Sequence, residues 1–470
     1  MARSPIPRPF RTVLPAAAVL AAVTGLVLAP SGFADSSHAV PVVHADAGAA
    51  SAATTSAALG MNVATWDQHL LDPGIPDLLS KIHVGVLRYP GGSTSDDYDW
   101  KSSTSGGQKQ SNDYRQFDRI ADQVGAQPLF TVNYGSGTPE HAAAWVKDFL
   151  AHPTAKQPMW EIGNEVYGPW EKDQHADPHT PESYVQNAEK FIDAIHKVDP
   201  HAKIGVPYTL TTEQATGTGT GVDKPEDWNT KVLSALGDKI DFVDMHWYPF
   251  YGTPHVTNDE IMAQARRVPA VMESIRTNIR HYAPGAKVLV GETNMSQTPL
   301  PQDNQPIAAL YTASTLLQYL VNGATSVDWW DLHDYGFADK EGDFSVLSTG
   351  RPGEPPVNTP MPTYSGYRMA SMVAGGGFTL STLASPEKSV DAFTATRGDT
   401  RRVLLANSAD TARTVKLKGL SGRNGQHLHL YTYSAAHPSV TAMWTGAGVA
   451  AAGLTLPAQS ITVVSTNAVE

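Results

Sequence analysis

The sequence predicts an α/β chain: a (β/α)8 TIM barrel followed by a C-terminal antiparallel β-sandwich. Three observations predict it. Between Leu59 and residue 376, eight apolar strand-like runs alternate with helix-like segments over about 310 residues, which favours a closed barrel over an open doubly wound sheet. Two of those runs end alike, in Gly163-Asn164-Glu165 and in Gly291-Glu292. Past Gly377 the pattern changes to short alternating runs separated by Gly, Asn, Asp and Ser, the spacing of a sandwich.

Taken in order, residues 1–34 have the layout of a secretory signal: Arg3, Arg8 and Arg11, an apolar run from Val13 to Leu28, then small residues around Gly32-Phe33-Ala34. The run is short for a membrane span of about 20 residues, so the expectation is a secreted protein that keeps no membrane contact after cleavage. Residues 35–58, rich in Ala, Ser, Thr and Val, read as a linker in which Val40 to Val43 can add a strand to the β-domain. The catalytic barrel is expected over residues 59–376. Its strands are predicted at Leu59–Trp66, Val84–Pro90, Pro128–Tyr134, the run from Met159 to the Glu165 tip, Lys203–Tyr208, Ile240–Trp247, Lys287–Glu292 and Thr325–Asp331.

Between the strands, Tyr114, Phe117, Ile120, Ala121 and Val124 keep helical spacing up to Gly125. Thr138-Pro139-Glu140 and Thr180-Pro181-Glu182 each open a helix with a capping hydroxyl, a proline at the first position and an acid in the first turn. One long helix is predicted from about Asp259 to Tyr282, with others at Pro306–Val321 and Tyr364–Val373. The accessory domain, 377–470, has predicted strands at Val390–Thr396, Arg402–Asn407, Thr414–Lys418, His427–Ser434 and Ser460–Thr466.

The 470 residues are 41% hydrophobic and 17% charged, enough apolar material for a large core. With no cysteine there is no disulfide framework. A net charge of −12 argues against nucleic acid or anionic membrane as partner, since both need a basic face, and favours a neutral or weakly charged substrate.

In a barrel the C-terminal ends of the strands face the active site, and Glu165 and Glu292 stand at two such ends. Retaining glycoside cleavage needs one carboxylic acid to protonate the leaving oxygen and one carboxylate to attack the sugar carbon, about 5–5.5 Å apart and in different environments. Asn164 can hydrogen-bond a sugar hydroxyl beside the reacting carbon. Arg88, at the end of the second strand, can hold a carboxylate ionised. Alternation puts His246 and Tyr248 on one side of the sixth strand's end, and a Tyr248 hydroxyl donating to Glu292 would orient it. Trp329 and Trp330 can give a sugar ring an apolar wall, with one of the pair packing outside the barrel.

The set Arg88-Tyr89-Pro90-Gly91-Gly92, Gly163-Asn164-Glu165, His246-Trp247-Tyr248 and Gly291-Glu292 resembles the retaining (β/α)8-barrel glycoside hydrolases of clan A. It is most similar to the family 51-type α-L-arabinofuranosidases, and Leu456-Pro457-Ala458-Gln459-Ser460-Ile461-Thr462-Val463 is like the last strand of their C-terminal β-domains. The resemblance covers roughly residues 59 to 467. It implies double displacement through a covalent glycosyl-enzyme, with Glu165 as acid/base, Glu292 as nucleophile and Asn164 on the sugar 2-hydroxyl. Arg88 and Tyr248 would support Glu292, and His246 would line the subsite. No metal or organic cofactor is implied, and the partner is an oligo- or polysaccharide.

There is a departure. Where that family ends its first strand with a glutamate and a histidine that grip the sugar, this chain has Asn62, Trp66 and Asp67, which puts the sugar in doubt. The expected activity is that of an exo-acting α-L-arabinofuranosidase on plant cell-wall polysaccharide, with β-xylosidase, β-glucuronidase or β-glucosidase activity open on the same scaffold. The reading from another class is a non-catalytic carbohydrate-binding barrel, against which stands the joint presence of both glutamates and Asn164.

Other signals carry less. Gly217, Gly219 and Gly221 alternate with threonines but have neither a strand before them nor a Lys-Ser/Thr after them, so a loop is expected and not a phosphate cradle. His175, Asp177 and His179, and His333 with Asp331 and Asp334, are set aside as metal ligands. His427 and His429 are expected in solvent.

Overall fold

The first barrel strand, Leu59–Asn62, lies beside the last, Ala324–Trp329, and closes a ring of eight parallel strands. Between them, in chain order, come Val86–Tyr89, Gln127–Val132, Met159–Ile162, Lys203–Tyr208, Phe242–Trp247 and Lys287–Thr293. This computed structural model describes residues 40–469 apart from 47, 211–224, 253–254, 335–342, 344 and 421–426. The predicted signal and the Gly217, Gly219 and Gly221 loop lie outside the described residues.

Side chains alternate in and out along each strand, so residues two apart stack in tiers inside the barrel. Val86, Leu129, Phe242 and Leu289 form a small apolar cluster of their own. Two residues further on stand Arg88, Thr131, Asp244 and Gly291, with Glu161 following Met159 in the same way. Two more bring His246, and then Tyr248, to the open end. Their neighbours of opposite parity (Leu87, Tyr89, Phe130, Val243, Met245, Val288, Val290) join the large core under the helices.

The helices follow their start and stop signals. Tyr114–Val124 begins at Asp113, whose carboxylate takes the Gln116 N–H while the Gln116 side chain takes the Asp113 N–H, and it ends on left-handed Gly125 at φ 69°. Thr138 and Thr180 cap Pro139–Ala151 and Pro181–Val198. The single helix expected from Asp259 to Tyr282 is two, Asn258–Ala265 and Val268–Tyr282. Pro269 is the reason: it has no N–H to give and its ring clashes with the carbonyl of Ala265, but it is welcome in the first turn of a new helix. Helices Ile75–Lys81 and Pro225–Leu236 went unpredicted.

The residues after Gly377 contribute to an antiparallel seven-stranded sheet in the order His437–Gly446, His427–Ser434, Ser460–Ser465, Thr400–Asn407, Val390–Arg397, Thr379–Leu383 and Gly48–Ala53. A second sheet sets Val42–His44 parallel to Arg413–Lys418 and Leu454–Leu456 antiparallel to it. Val43, Leu417 and Leu456 of the small sheet and Leu405, Leu430 and Val464 of the large one share one buried apolar cluster. The stretch expected as a linker therefore supplies two strands, one to each sheet. His429 packs on Trp444 with ring centres 4.1 Å apart and is not simply solvated. Among the described residues no helix is long and apolar enough to cross a membrane.

Candidate active site

At the open end of the barrel, His246 Nδ1 stands 2.8 Å from Glu165 Oε1 and 3.7 Å from Glu292 Oε2. The sum of those distances, 6.5 Å, is the largest separation the two oxygens can have. Both carboxylates are buried but for a small face, 5% and 6% exposed. Local backbone features put them there. Glu165 follows the fourth strand with φ 41°, a left-handed conformation uncommon for a glutamate and found where surrounding structure enforces it. Glu292 has the parity of Val288 and Val290, which face outward. The pairing of the sixth and seventh strands slips between Met245 and His246, so that His246 sits opposite Glu292; this bulge turns the glutamate toward the barrel mouth.

Arg88 is fully buried beneath them and binds in several directions. Its Nη1 donates to Glu292 Oε1 at 2.8 Å and Asn62 Oδ1 at 3.1 Å, and its Nη2 to Glu161 Oε2 and Asn164 Oδ1, each at 2.9 Å. Its Nε lies 3.3 Å from Asp244 Oδ2. Burial works against the guanidinium charge, but Glu161, Asp244 and Glu292 reverse that and hold the group firmly protonated. Tyr248 Oη donates to Glu292 Oε2 at 2.7 Å. Glu292 thus accepts from a fixed cation and a fixed hydroxyl, an environment suited to a charged carboxylate.

Glu165 is held differently. Burial raises its pKa, yet the hydrogen bond and charge of His246, with the Trp170 indole N–H donating to Oε2 at 2.8 Å, outweigh burial and bring the carboxyl below its ordinary value. Burial likewise disfavours a charged His246, while Glu292, Asp244 and Glu165 around it raise the imidazole well above its ordinary value. Both shifts run in the direction of an imidazolium facing a carboxylate. Deeper in, burial above all pushes the carboxyls of Glu161 and Asp328 up to about 8.

The sequence-derived residues divide clearly. Asn164 is buried beside the pair, with its Oδ1 on Arg88 and its Nδ2 donating to Glu171 Oε1 at 3.0 Å. Trp330 is half-buried at the rim while Trp329 packs outside against Tyr311. Trp66 is also half-buried at the mouth. Asn62, expected at the sugar, is fully buried: its amide donates to the carbonyls of Gly291 (2.7 Å) and Asp328 (3.1 Å), so it braces Arg88 from below. Asp67 is occupied by the His333 ring at 2.8 Å. The unpredicted members are Glu161, Asp244, Trp170 and Glu171. The first two had a signal, an acid inside an apolar strand at inward parity; the other two lie on the loop past Glu165 and had none.

His333 also reaches Asn358 at 2.9 Å, and His175 is hydrogen-bonded to Asp173 at 2.8 Å. The described cluster with the spacing for a metal is another one, Glu161, Asp244 and His246, whose ligand atoms lie within 4.8 Å of one another. It does not fit a metal well, because the Arg88 guanidinium already brings positive charge to both carboxylates.

Fold and site together define a (β/α)8 barrel that carries two convergent carboxylates at the ends of its fourth and seventh strands. No family model matches the chain. In sequence it is similar to the probable α-L-arabinofuranosidase C of Aspergillus fumigatus, 25% identical over 260 residues that make up 44% of this chain and 48% of that one. The chain thus spans about half the length of the curated relatives it matches. In fold it is similar to the α-L-arabinofuranosidase of Thermotoga maritima, with a TM-score of 0.67 at 16% identity over 91% of this chain and 99% of that one. CelM2, a bifunctional glucanase-xylanase from a metagenome library, gives the same score at 16% identity over 91% and 98%.

Proposed function

We propose that the protein is a retaining glycoside hydrolase of the α-L-arabinofuranosidase type, removing terminal arabinofuranose from plant cell-wall polysaccharide. The observation that carries this reading is the convergence of Glu165 and Glu292 on His246, with their nearest oxygens no more than 6.5 Å apart. That bound admits the about 5–5.5 Å of a retaining pair and meets only the lower edge of the about 6.5–9.5 Å at which an inverting pair leaves room for its water. The named relatives support the sugar; the likeness to a glucanase-xylanase favours a second reading, a β-glycosidase on the same scaffold.

In this mechanism Glu292, oriented by its hydrogen bonds from Arg88 and Tyr248, attacks the anomeric carbon while Glu165 protonates the leaving oxygen. His246, one hydrogen bond away from Glu165 at 2.8 Å, is the group placed to exchange that proton with it. A bound sugar that excludes water disfavours the charged Glu165–His246 pair and so favours the neutral one, with the proton on Glu165. Once the ester has formed, Glu165 is the base for the incoming water. The test is the configuration of the first product, read by proton NMR within the first turnovers. A retained anomer supports the proposal and an inverted one ends it.

The N-terminal residues, with their basic, apolar and small-residue order, support export of the mature enzyme. The shared apolar cluster of the two C-terminal sheets supports reading them as a sandwich that acts as an accessory domain.

A further inference from the structure

At the end of the barrel where the strands begin, away from the two carboxylates, lies a cavity of about 550 Å³. Ala58 and Leu59 line it at the start of the first strand, and Val84 and Gly85 just ahead of the second. Phe378, Arg397, Arg402 and Val469 bring the C-terminal part of the chain to the same space.

The two arginines are set as a pair. Arg402 lies opposite Ala395 across an antiparallel ladder and Arg397 stands two residues past Ala395, so both side chains leave one face of the sheet. Their Cζ atoms lie 4.4 Å (Arg397) and 4.6 Å (Arg402) from the centre of the Phe378 ring. Arg397 Nη1 donates to the Gly376 carbonyl at 3.2 Å and Arg402 Nη1 to that of Met372, which ties both to the end of helix Pro362–Ala374. Those bonds account for part of the cluster only. A helix end carries about half a negative charge against two full positive ones, and each guanidinium has several N–H groups besides the one so used. Arg402 Nε is buried and has no acceptor among the described residues.

No acid answers this charge. Among the described residues the lining holds no Asp or Glu, although the chain has 46 acids against 34 lysines and arginines. Burial, and then the charge of Arg397, lower the pKa of Arg402, whereas three carboxylates carry the buried Arg88 the opposite way. An anion held between the two guanidiniums would replace their repulsion with attraction and give Arg402 the acceptors it lacks. The rest of the wall is largely apolar, with Leu59, Val84, Val124, Phe378 and Val469, and the volume lies within the range of small-molecule sites. A cation would be repelled here, and an uncharged ligand would leave the arginines as they are. A bare inorganic anion would leave the apolar wall uncovered.

We propose that this cavity binds a small organic anion, a carboxylate on an apolar body, with Arg397 and Arg402 as its counter-charges. The site is separate from Glu165 and Glu292, and it stands whether or not the glycosidase reading does. Its ligand would touch both the strand starts of the barrel and the C-terminal sheet, so binding should also raise the melting temperature.

The test is titration calorimetry on the full chain at low salt, with benzoate, phenylacetate and 3-phenylpropanoate as probes. Their amides supply the same body without charge, and acetate supplies the charge without the body. The expected result is a Kd below about 1 mM for at least one arylcarboxylate, with its amide and acetate each weaker by about tenfold or more. In Arg397→Gln, which alters an exposed side chain, the same carboxylate should lose about tenfold in affinity, because a hydrogen bond to a charged group is removed. No binding by any of the three acids overturns the proposal. So does an amide or acetate that binds as tightly as the acid, or an affinity unchanged in Arg397→Gln. The comparison of acid with amide needs only the wild type, so it decides the matter even if the variant does not fold.

Discussion

Gly291 and Asp244 compete for one space: a Cβ on Gly291 would lie 1.9 Å from Asp244 Oδ2. The carboxylate of the sixth strand fits only because the seventh strand has no side chain there, and Asp244 in turn faces Arg88 Nε at 3.3 Å and His246 Nε2 at 3.8 Å. Gly291→Ala should cost about 1–3 kcal/mol of stability through overpacking. It should also lower activity by moving Asp244. Urea unfolding measures the first effect, and an unchanged midpoint would show that the barrel interior yields more easily than this packing implies.

Tyr248→Phe keeps the ring and removes the hydroxyl that donates to Glu292. A hydrogen bond to a charged group contributes about 1.5–3 kcal/mol, so kcat/KM on aryl glycosides should drop by roughly ten- to a hundredfold. Steady-state kinetics alongside a thermal melt decide it, the melt showing that the fold has survived.

Glu165→Ala should discriminate between leaving groups. Natural glycosides need protonation and should lose about 10²–10⁴-fold, whereas 2,4-dinitrophenyl glycosides need little and should lose far less in the bond-breaking step. Equal losses on both substrates in single-turnover measurements would remove Glu165 from the acid's role.

Stability should depend on pH through Glu171. Burial first, then the charge of Glu165, pushes its carboxyl up to about 8 from an ordinary 4.5. In the folded protein it therefore keeps a proton that the unfolded chain has released. Between those two values unfolding releases a proton, so the contribution is present at low pH and is lost as pH rises toward 8. Glu171→Gln removes this titration. Its melting temperature should decline less than that of the wild type between pH 5 and pH 8, and parallel declines would contradict the assignment.

Much of this was legible in the sequence because its signals are local. Thr138-Pro139 and Thr180-Pro181 open helices where they stand, and His246 and Tyr248 share a face because a strand repeats every two residues. What escaped depends on pairing. Strict alternation with Leu289 and Gly291 inward would send Glu292 outward, and only the slip in register against Met245 and His246 brings it in. Asn62 was expected within a longer first strand, Leu59–Trp66, whereas the strand ends at Asn62, and its depth is set by Arg88 and by the carbonyls of Gly291 and Asp328, which belong to other strands. The Thr104–Lys109 hairpin has too little apolar character to announce itself, and its hold on Thr65 is visible only in three dimensions.

Gly48–Ala53 pairs with Thr379–Leu383, and Val42–His44 lies beside Arg413–Lys418, so chain from ahead of the barrel is woven into sheets built mostly from chain behind it. A fragment ended at Gly377 would leave both early strands with bare edges, inviting them to stick to each other or to other molecules. Anyone wishing to transplant this barrel, or to shorten it for expression, must carry the segments before and after it together, because strands from the one are paired with strands from the other.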